Sequence, residues 1–238
     1  MKFTKGIVVA ACVVCPLVAF AIVAGQLDTF EDGTTQGWIV GGPHPAPPVN
    51  LDDDGPQGPG DNYLKITSTG GGGPGSRLAV INESQWAGNY TAAGIAVISV
   101  KLRNLGATDL SVRLYLENPM GGPPTDDAVT DFVFLPSGGD WTHVEFAVDP
   151  LSLTLLNGSL GALLSNVTAL RIIHNPAPAF PPPAIVAMLG IDAIRAERGS
   201  PALPVLPMSG TLLLVLSLGA VAALGLRVRR RGASNKIG

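Results

Sequence analysis

Two neighbouring runs of strict period-two alternation set the fold class. In Ala96 to Arg103, the residues Ala96, Ile98, Val100 and Leu102 alternate with Val97, Ser99, Lys101 and Arg103. In Leu110 to Glu117, Leu110, Val112, Leu114 and Leu116 alternate with Ser111, Arg113, Tyr115 and Glu117. That spacing puts an apolar stripe on one face of a β-strand and a polar stripe on the other. It predicts two half-buried strands, paired as a hairpin through the Gly106 to Asp109 turn. Shorter runs of the same kind predict strands at Tyr63 to Ser68, Arg77 to Ile81, Val129 to Leu135, Trp141 to Val148, Ala169 to His174 and Ala184 to Arg195. Glycine and proline fill the joints at Gly41 to Pro48, Gly70 to Gly75, Gly121 to Pro124 and Pro176 to Pro183. Helical periodicity is confined to a short helix expected within Leu151 to Leu164. About eight short strands between turn clusters predict an all-β sandwich.

The sandwich is flanked by two apolar ends. Lys2 and Lys5 precede the apolar stretch Gly6 to Ala24, and Ala19-Phe20-Ala21 supplies small residues for an A-x-A cleavage site, with further options up to Gly25. This reads as a signal peptide over residues 1–25, with an uncleaved N-terminal anchor as the alternative. Both cysteines, Cys12 and Cys15, lie inside it, so the mature domain has no disulfide and depends on its apolar core. At the other end, Thr211 to Leu226 is uncharged and apolar enough for a single transmembrane helix and is followed by Arg227, Arg229, Arg230 and Arg231. The positive-inside rule keeps that cluster cytoplasmic and places the domain on the far side of the membrane. The expected organisation is therefore a signal peptide (1–25), a β-sandwich domain (26–200) and a C-terminal segment (201–238).

Charge narrows the function. All 18 acidic residues fall between Asp28 and Arg198, where only 8 basic residues stand against them, a net of −10. Such a domain repels phosphate backbones, which argues against nucleic acid and favours cations or neutral ligands.

Two resemblances sharpen these expectations. The C-terminal order of Pro-rich motif, apolar helix and arginines resembles the sorting signals of exosortase-type systems, the PEP-CTERM class and its relatives. Leu203, Pro204, Leu206 and Gly210 of LPVLPMSG fall as in the IPTL-type variant, although the P-E-P triplet is absent. The resemblance implies export and sorting machinery as partners and a cell-envelope or matrix location. The tail is then either cleaved or retained as an anchor.

In the middle of the chain, DTFEDGTTQGW from Asp28 to Trp38, the later DNYLKI and the closing LGIDAIRAE are similar to jelly-roll carbohydrate-binding modules of galactose-binding-like fold. This resemblance implies a jelly-roll β-sandwich and a polysaccharide ligand. It also implies a structural calcium held by Glu31 and Asp192, although Ala193 stands where a second acid is common.

Independently, Asn50-Leu51-Asp52-Asp53-Asp54-Gly55 alternates oxygen side chains before a glycine, as calcium loops of the D-x-D-x-D-G type do, and Asp61 is at its twelfth position. The candidate calcium ligands are thus Glu31, Asn50, Asp52, Asp54, Asp61 and Asp192; a solvated acidic turn is the alternative for the loop. For saccharide binding, the polar strand faces point to Arg113, Tyr115 and His143, and the QWAGNY segment points to stacking by Trp86 and Tyr90. Core packing is the competing role for Trp86. No catalytic motif is found: His44, His143 and His174 lie far apart in sequence, and the only carboxylate pair of interest, Glu117 with Glu145, requires their strands to be neighbours. The reading is a non-enzymatic module that binds polysaccharide. The alternatives are a carbohydrate-active hydrolase or lyase and a purely structural matrix component.

Overall fold

The computed structural model describes residues 21–199. In chain order its strands are β1 (Leu27–Asp28), β2 (Val49–Leu51), β3 (Tyr63–Thr69), β4 (Ala79–Asn82), β5 (Ile95–Asn104), β6 (Leu110–Asn118), β7 (Asp126–Val129), β8 (Val133–Leu135), β9 (Thr142–Ala147), β10 (Thr154–Asn157), β11 (Ala169–His174) and β12 (Val186–Arg198). Two short helices, α1 (Tyr90–Ala93) and α2 (Leu160–Ser165), sit in the connections. The strands form two antiparallel sheets. Sheet A runs β2-β3-β12-β5-β9 with β1 also on β12, and sheet B runs β10-β7-β6-β11-β4 with β8 also on β6. The signal segment, the sorting motif Leu203 to Gly210, the apolar run 211–226 and the arginine tail lie outside the described residues, apart from the last few residues of the N-terminal segment. Among the described residues no helix is long and apolar enough to cross a membrane.

The alternation in β5 and β6 is realised, but the two strands are not a hairpin. β5 pairs with β12 and β9, whereas β6 pairs with β11, β7 and β8, so they lie in opposite sheets. The connection between them is an arch rather than a tight turn. The Asn104 carboxamide holds it by donating to the carbonyls of Thr108 (2.9 Å) and Leu135 (3.0 Å) and accepting from the Gly106 N–H (3.1 Å). Placed face to face, Ile98, Val100 and Leu102 of β5 and Val112, Leu114 and Leu116 of β6 join a single core. The expected strand Val129 to Leu135 divides into β7 and β8, because Thr130 turns inward and its Oγ1 accepts the Leu114 N–H at 3.0 Å.

One buried carboxylate closes the sandwich at its N-terminal end. Asp28 in β1 is 5% exposed, and its Oδ2 accepts the indole N–H of Trp38 (2.8 Å) and of Trp86 (2.7 Å). Burial pushes its pKa up, and the hydrogen bonds from Trp86, Trp38 and Gln85 oppose that push. Packing continues N-terminal to Gln26. Ile22 is 3% exposed and donates its N–H to Ala87 O (2.8 Å), and Gly25 and Gln26 bond to Ala196 (2.8 and 3.0 Å). The core therefore includes residues that precede position 26.

Two outcomes follow from these contacts. Asp28→Ala leaves two buried indole N–H groups without an acceptor and should lower unfolding free energy by roughly 2–5 kcal/mol in urea titration. A domain beginning at Gln26 loses the buried Ile22 and should be less stable than one beginning at Ala21 by about 2–4 kcal/mol, read from the same titration.

Candidate functional site

The outer faces of the two sheets differ. On sheet B, antiparallel register sets Ile81, Arg171, Tyr115 and Val129 in one row across four strands and Glu117 beside Asp127 in the next. The sequence predicts this face as open to solvent, yet Arg113, Tyr115 and Glu117 are all buried. The segment from Asn175 to Pro183 lies over them. Arg113 anchors it by donating to the carbonyls of Asn175 (2.8 Å) and Pro176 (3.2 Å), and also bonds Thr130 O (2.6 Å). Phe180 stacks on Tyr115 with ring centroids 4.3 Å apart and planes 13° from parallel. Beneath it, the Tyr115 hydroxyl donates to Asp127 (2.9 Å) and Arg171 pairs with Glu117. Burial raises the pKa of Tyr115, and the hydrogen bond to Asp127 adds to the rise. Burial also raises the Glu117 carboxyl, against the pull of Arg171. Beside Phe180 remains a pocket of about 160 Å³ lined by Pro74, Arg77, Arg171 and Pro181 among others.

An open part of the same face lies at its β8 edge. Phe134 is opposite Ser111, so it shares the outer face with Arg113, and the Arg113 guanidinium stands 5.1 Å from the Phe132 ring. Phe132 and Phe134 are 46% and 55% exposed. Phe132 immediately precedes β8 and Phe134 lies within it, two residues further along the chain. Next to Phe132 is a groove of about 380 Å³, to which Asp131, Glu145 and Ser152 contribute polar atoms and Leu151 an exposed apolar one. Solvent-exposed aromatic rings bordering a groove with carboxylate and hydroxyl groups can stack on one face of a sugar ring while hydrogen-bonding its rim.

The structure scatters the residues expected to bind saccharide. Trp86 and Tyr90 are core residues with no solvent exposure; Trp86 is held by Asp28, and the Tyr90 hydroxyl donates to Trp86 O at 3.0 Å. Their spacing of four is that of the turn leading into α1, which directs both rings inward. Arg113 and Tyr115 lie under the Phe180 segment on sheet B, whereas His143 is exposed on the outer face of sheet A, 3.5 Å from Glu145. Glu117 and Glu145 stand on strands of opposite sheets, so the carboxylate pair considered for glycoside hydrolysis does not meet. His174 is engaged too, its Nδ1 accepting the Ser111 N–H at 3.0 Å. Phe132 and Phe134 were overlooked in the sequence, although the D-F-V-F-L alternation, with Val133 and Leu135 as the inward partners, carries the signal.

The six candidate calcium ligands divide into two groups. Asn50 is committed to structure: its Nδ2 donates to the carbonyls of Phe30 and Thr34 (both 2.7 Å), and its Oδ1 accepts from Asn62 (3.2 Å). Asp52 and Asp54 are exposed, and the loop is pinned instead by Asp53, which accepts the Gly60 N–H at 2.9 Å. Asp61 bonds within the same loop to the Gln57 N–H (2.6 Å) and side chain (3.1 Å). Asp192 behaves differently. It lies at a β-bulge where β12 changes partner from β3 to β1, it is 2% exposed, and its Oδ1 has no hydrogen-bond partner. Burial pushes its pKa up to about 7, and the negative charges of Asp61 and Glu31 add to the rise. Among the described residues no three carboxylate, imidazole or thiol groups form a metal-holding cluster. An orphaned buried carboxylate oxygen nonetheless fits a hard cation that takes its other ligands from backbone carbonyls.

The described residues form an all-β domain of two packed antiparallel sheets, and this architecture is shared with known proteins. No protein-family model matches the sequence, and no curated protein matches it. Among solved structures the chain is similar to an exo-β-agarase, with a TM-score of 0.52 at 13% identity over 75% of this chain and 25% of that one. It thus spans about a quarter of the length of the agarase chain. Weaker likenesses are to a family 11 carbohydrate-binding module from Clostridium thermocellum in complex with a β-1,3-1,4-mixed-linked tetrasaccharide (TM-score 0.48, 12% identity, 74% of this chain and 97% of that) and to a xylan-binding CBM22-1 domain from Paenibacillus barcinonensis (TM-score 0.43, 16% identity, 75% and 99%). At these identities the likeness is one of fold.

The orphaned Asp192 oxygen generates a pH-dependent expectation. A carboxyl whose folded pKa of about 7 exceeds its ordinary 3.8 stabilises the fold fully below pH 3.8, and that contribution is lost as pH rises through 7. In a chelator, unfolding free energy should therefore fall from pH 4 to pH 8. Calcium should restore it at pH 8 and have no effect at pH 4, as measured by thermal or urea unfolding.

Proposed function

We propose that this domain is a non-enzymatic polysaccharide-binding module whose ligand lies along the β8 edge of sheet B, stacked on Phe132 and Phe134, with Asp131, Glu145 and Ser152 hydrogen-bonding from the adjoining groove. The observation that carries the reading is the pair of exposed phenylalanines. Their large apolar rings meet solvent at the β8 edge, with Phe132 lining a polar groove, in a domain whose other large aromatics are mostly buried. A fold similar to part of an agarase, and less closely to modules that bind mixed-linkage glucan and xylan, supports the same reading. The net charge of −10 agrees with an uncharged polymer and disfavours nucleic acid.

The module belongs to an exported surface or matrix protein, delivered by the N-terminal signal and then sorted or anchored through the segment that begins at Leu203. Calcium, where present, braces the Asp192 bulge and takes no part in any reaction. In this reading the domain retains glycans and does not cleave them.

Affinity electrophoresis in gels containing soluble xylan, mixed-linkage β-glucan or agarose tests this. The double substitution Phe132→Ala and Phe134→Ala should weaken retention roughly tenfold or more without lowering the melting temperature, because both rings are exposed. Retention unchanged in that variant sinks the proposed site, and release of reducing sugar from any of the polymers sinks the non-enzymatic reading.

A further inference from the structure

The outer face of sheet A carries an aromatic residue to which the preceding sections give no role. Trp141, the only tryptophan of three that is not fully buried, precedes β9 and lies against Gly190 at the centre of the sheet. A Cβ on Gly190 would stand 2.9 Å from the Trp141 Cη2, so the glycine makes the room that lets the indole rest on the strand. The ring is fixed on two more sides: its N–H donates to Asp54 O at 3.0 Å, and Tyr63 meets it edge-on with centroids 5.3 Å apart. An indole so restrained has little side-chain freedom to lose on binding, which makes it a preorganised platform.

The surrounding side chains complete the site. Register places Lys65 and Arg103 on either side of Gly190, roughly 10 Å apart across the sheet, and Lys101 opposite His143 in the next row. Lys65, Lys101 and Arg103 are partly exposed, and none forms a salt bridge among the described residues. Arg103 lies close enough to Tyr63 to oppose the upward push that burial gives its hydroxyl. Acceptors are present as well, in the exposed acidic loop Asp52 to Asp54 against the ring. A surface with charges of both signs does not favour a polyanion, which that loop would repel. It suits a ligand whose hydroxyls both donate and accept, with an apolar face for the indole.

We propose that Trp141 is the centre of a second saccharide site, for an uncharged polysaccharide chain. Lys65, Arg103 and Lys101 donate to its hydroxyls. This site is on the opposite side of the sandwich from Phe132 and Phe134, so one domain holds two chains and bridges them. The bridging rests on the function proposed above; the Trp141 site does not.

All three tryptophans emit, but Trp38 and Trp86 are buried away from any ligand, so a ligand-dependent change in emission reports Trp141. In the full-length chain, titration with xylo-oligosaccharides or mixed-linkage gluco-oligosaccharides should shift or quench emission saturably, and Trp141→Phe should abolish the signal while leaving the melting temperature unchanged. In the gel assay, Trp141→Ala should reduce retention roughly tenfold, and retention should vanish only when it is combined with the two phenylalanine substitutions. The native chain should also precipitate a soluble polymer near equivalence, while variants lacking either site should not. A saturable signal that survives Trp141→Phe, full retention of Trp141→Ala, absence of any response across the panel, or equal binding of polygalacturonate each overturns the proposal. Loss of binding in Trp141→Ala with no effect of the phenylalanine substitutions upholds this site and removes the other, and with it the bridging.

Discussion

The Asp28 carboxylate is the point on which the rest of the sandwich depends. It accepts both buried indole N–H groups of the core, and so it ties the first strand, the turn carrying Trp38 and the segment carrying Trp86 to one atom. Each partner requires the others. Without the indoles the carboxylate would be a buried charge at prohibitive cost, and without the carboxylate two indoles would bury donors unpaired. The tryptophans are 6.1 Å apart and tilted, and Ile22, Phe30 and Tyr90 join the same core. With no cysteine among the described residues, this satisfied polar cluster and the apolar core do the work that a disulfide does in many exported domains.

The two outer faces have been treated in opposite ways. On sheet B a proline-rich segment is drawn down by Arg113 and lays Phe180 on Tyr115, so most of the face becomes a small second core with Ala79, Val129 and Ile173. Its polar members are satisfied within it: Tyr115 by Asp127, Glu117 by Arg171, and Asp127 also by Asn157 at 2.7 Å. Sheet A keeps its face open, with lysines and arginine lying over the strands and only Tyr63 and Trp141 as aromatic cover. The overlying segment leaves β10 and the β8 edge of sheet B exposed, and at the latter Phe132 and Phe134 meet solvent.

The sequence showed more of the fold than of the site, and the reason is physical. Alternation reports which residues of a strand share a face, so the positions of β3, β5, β6, β9 and β11 were legible almost to the residue. It does not report which sheet a strand joins, which is why β5 and β6 were paired when they face each other across the core. Nor does it report what lies on top of a face. Arg113 and Tyr115 alternate as solvent-facing residues do, and only the Phe180 segment, some sixty residues later, buries them. Trp86 and Tyr90 are buried for a related reason that the sequence does not carry, since a four-residue spacing does not say whether a turn points inward. The metal candidates from the acidic loop follow composition and Asp192 follows a resemblance, but the bulge that buries Asp192 and leaves one of its oxygens without a partner is visible only in the fold.

The last strand has a further consequence, for the order in which the domain can form. β12 takes hydrogen bonds from β1, β3 and β5, so the middle of sheet A is supplied by the final thirteen residues of the fold. A chain emerging N-terminus first cannot complete that sheet until Arg198 has appeared. Contacts of such long sequence separation make folding slow and concentrate it in one late cooperative step. Until then sheet A lacks its central strand, and the sandwich cannot close.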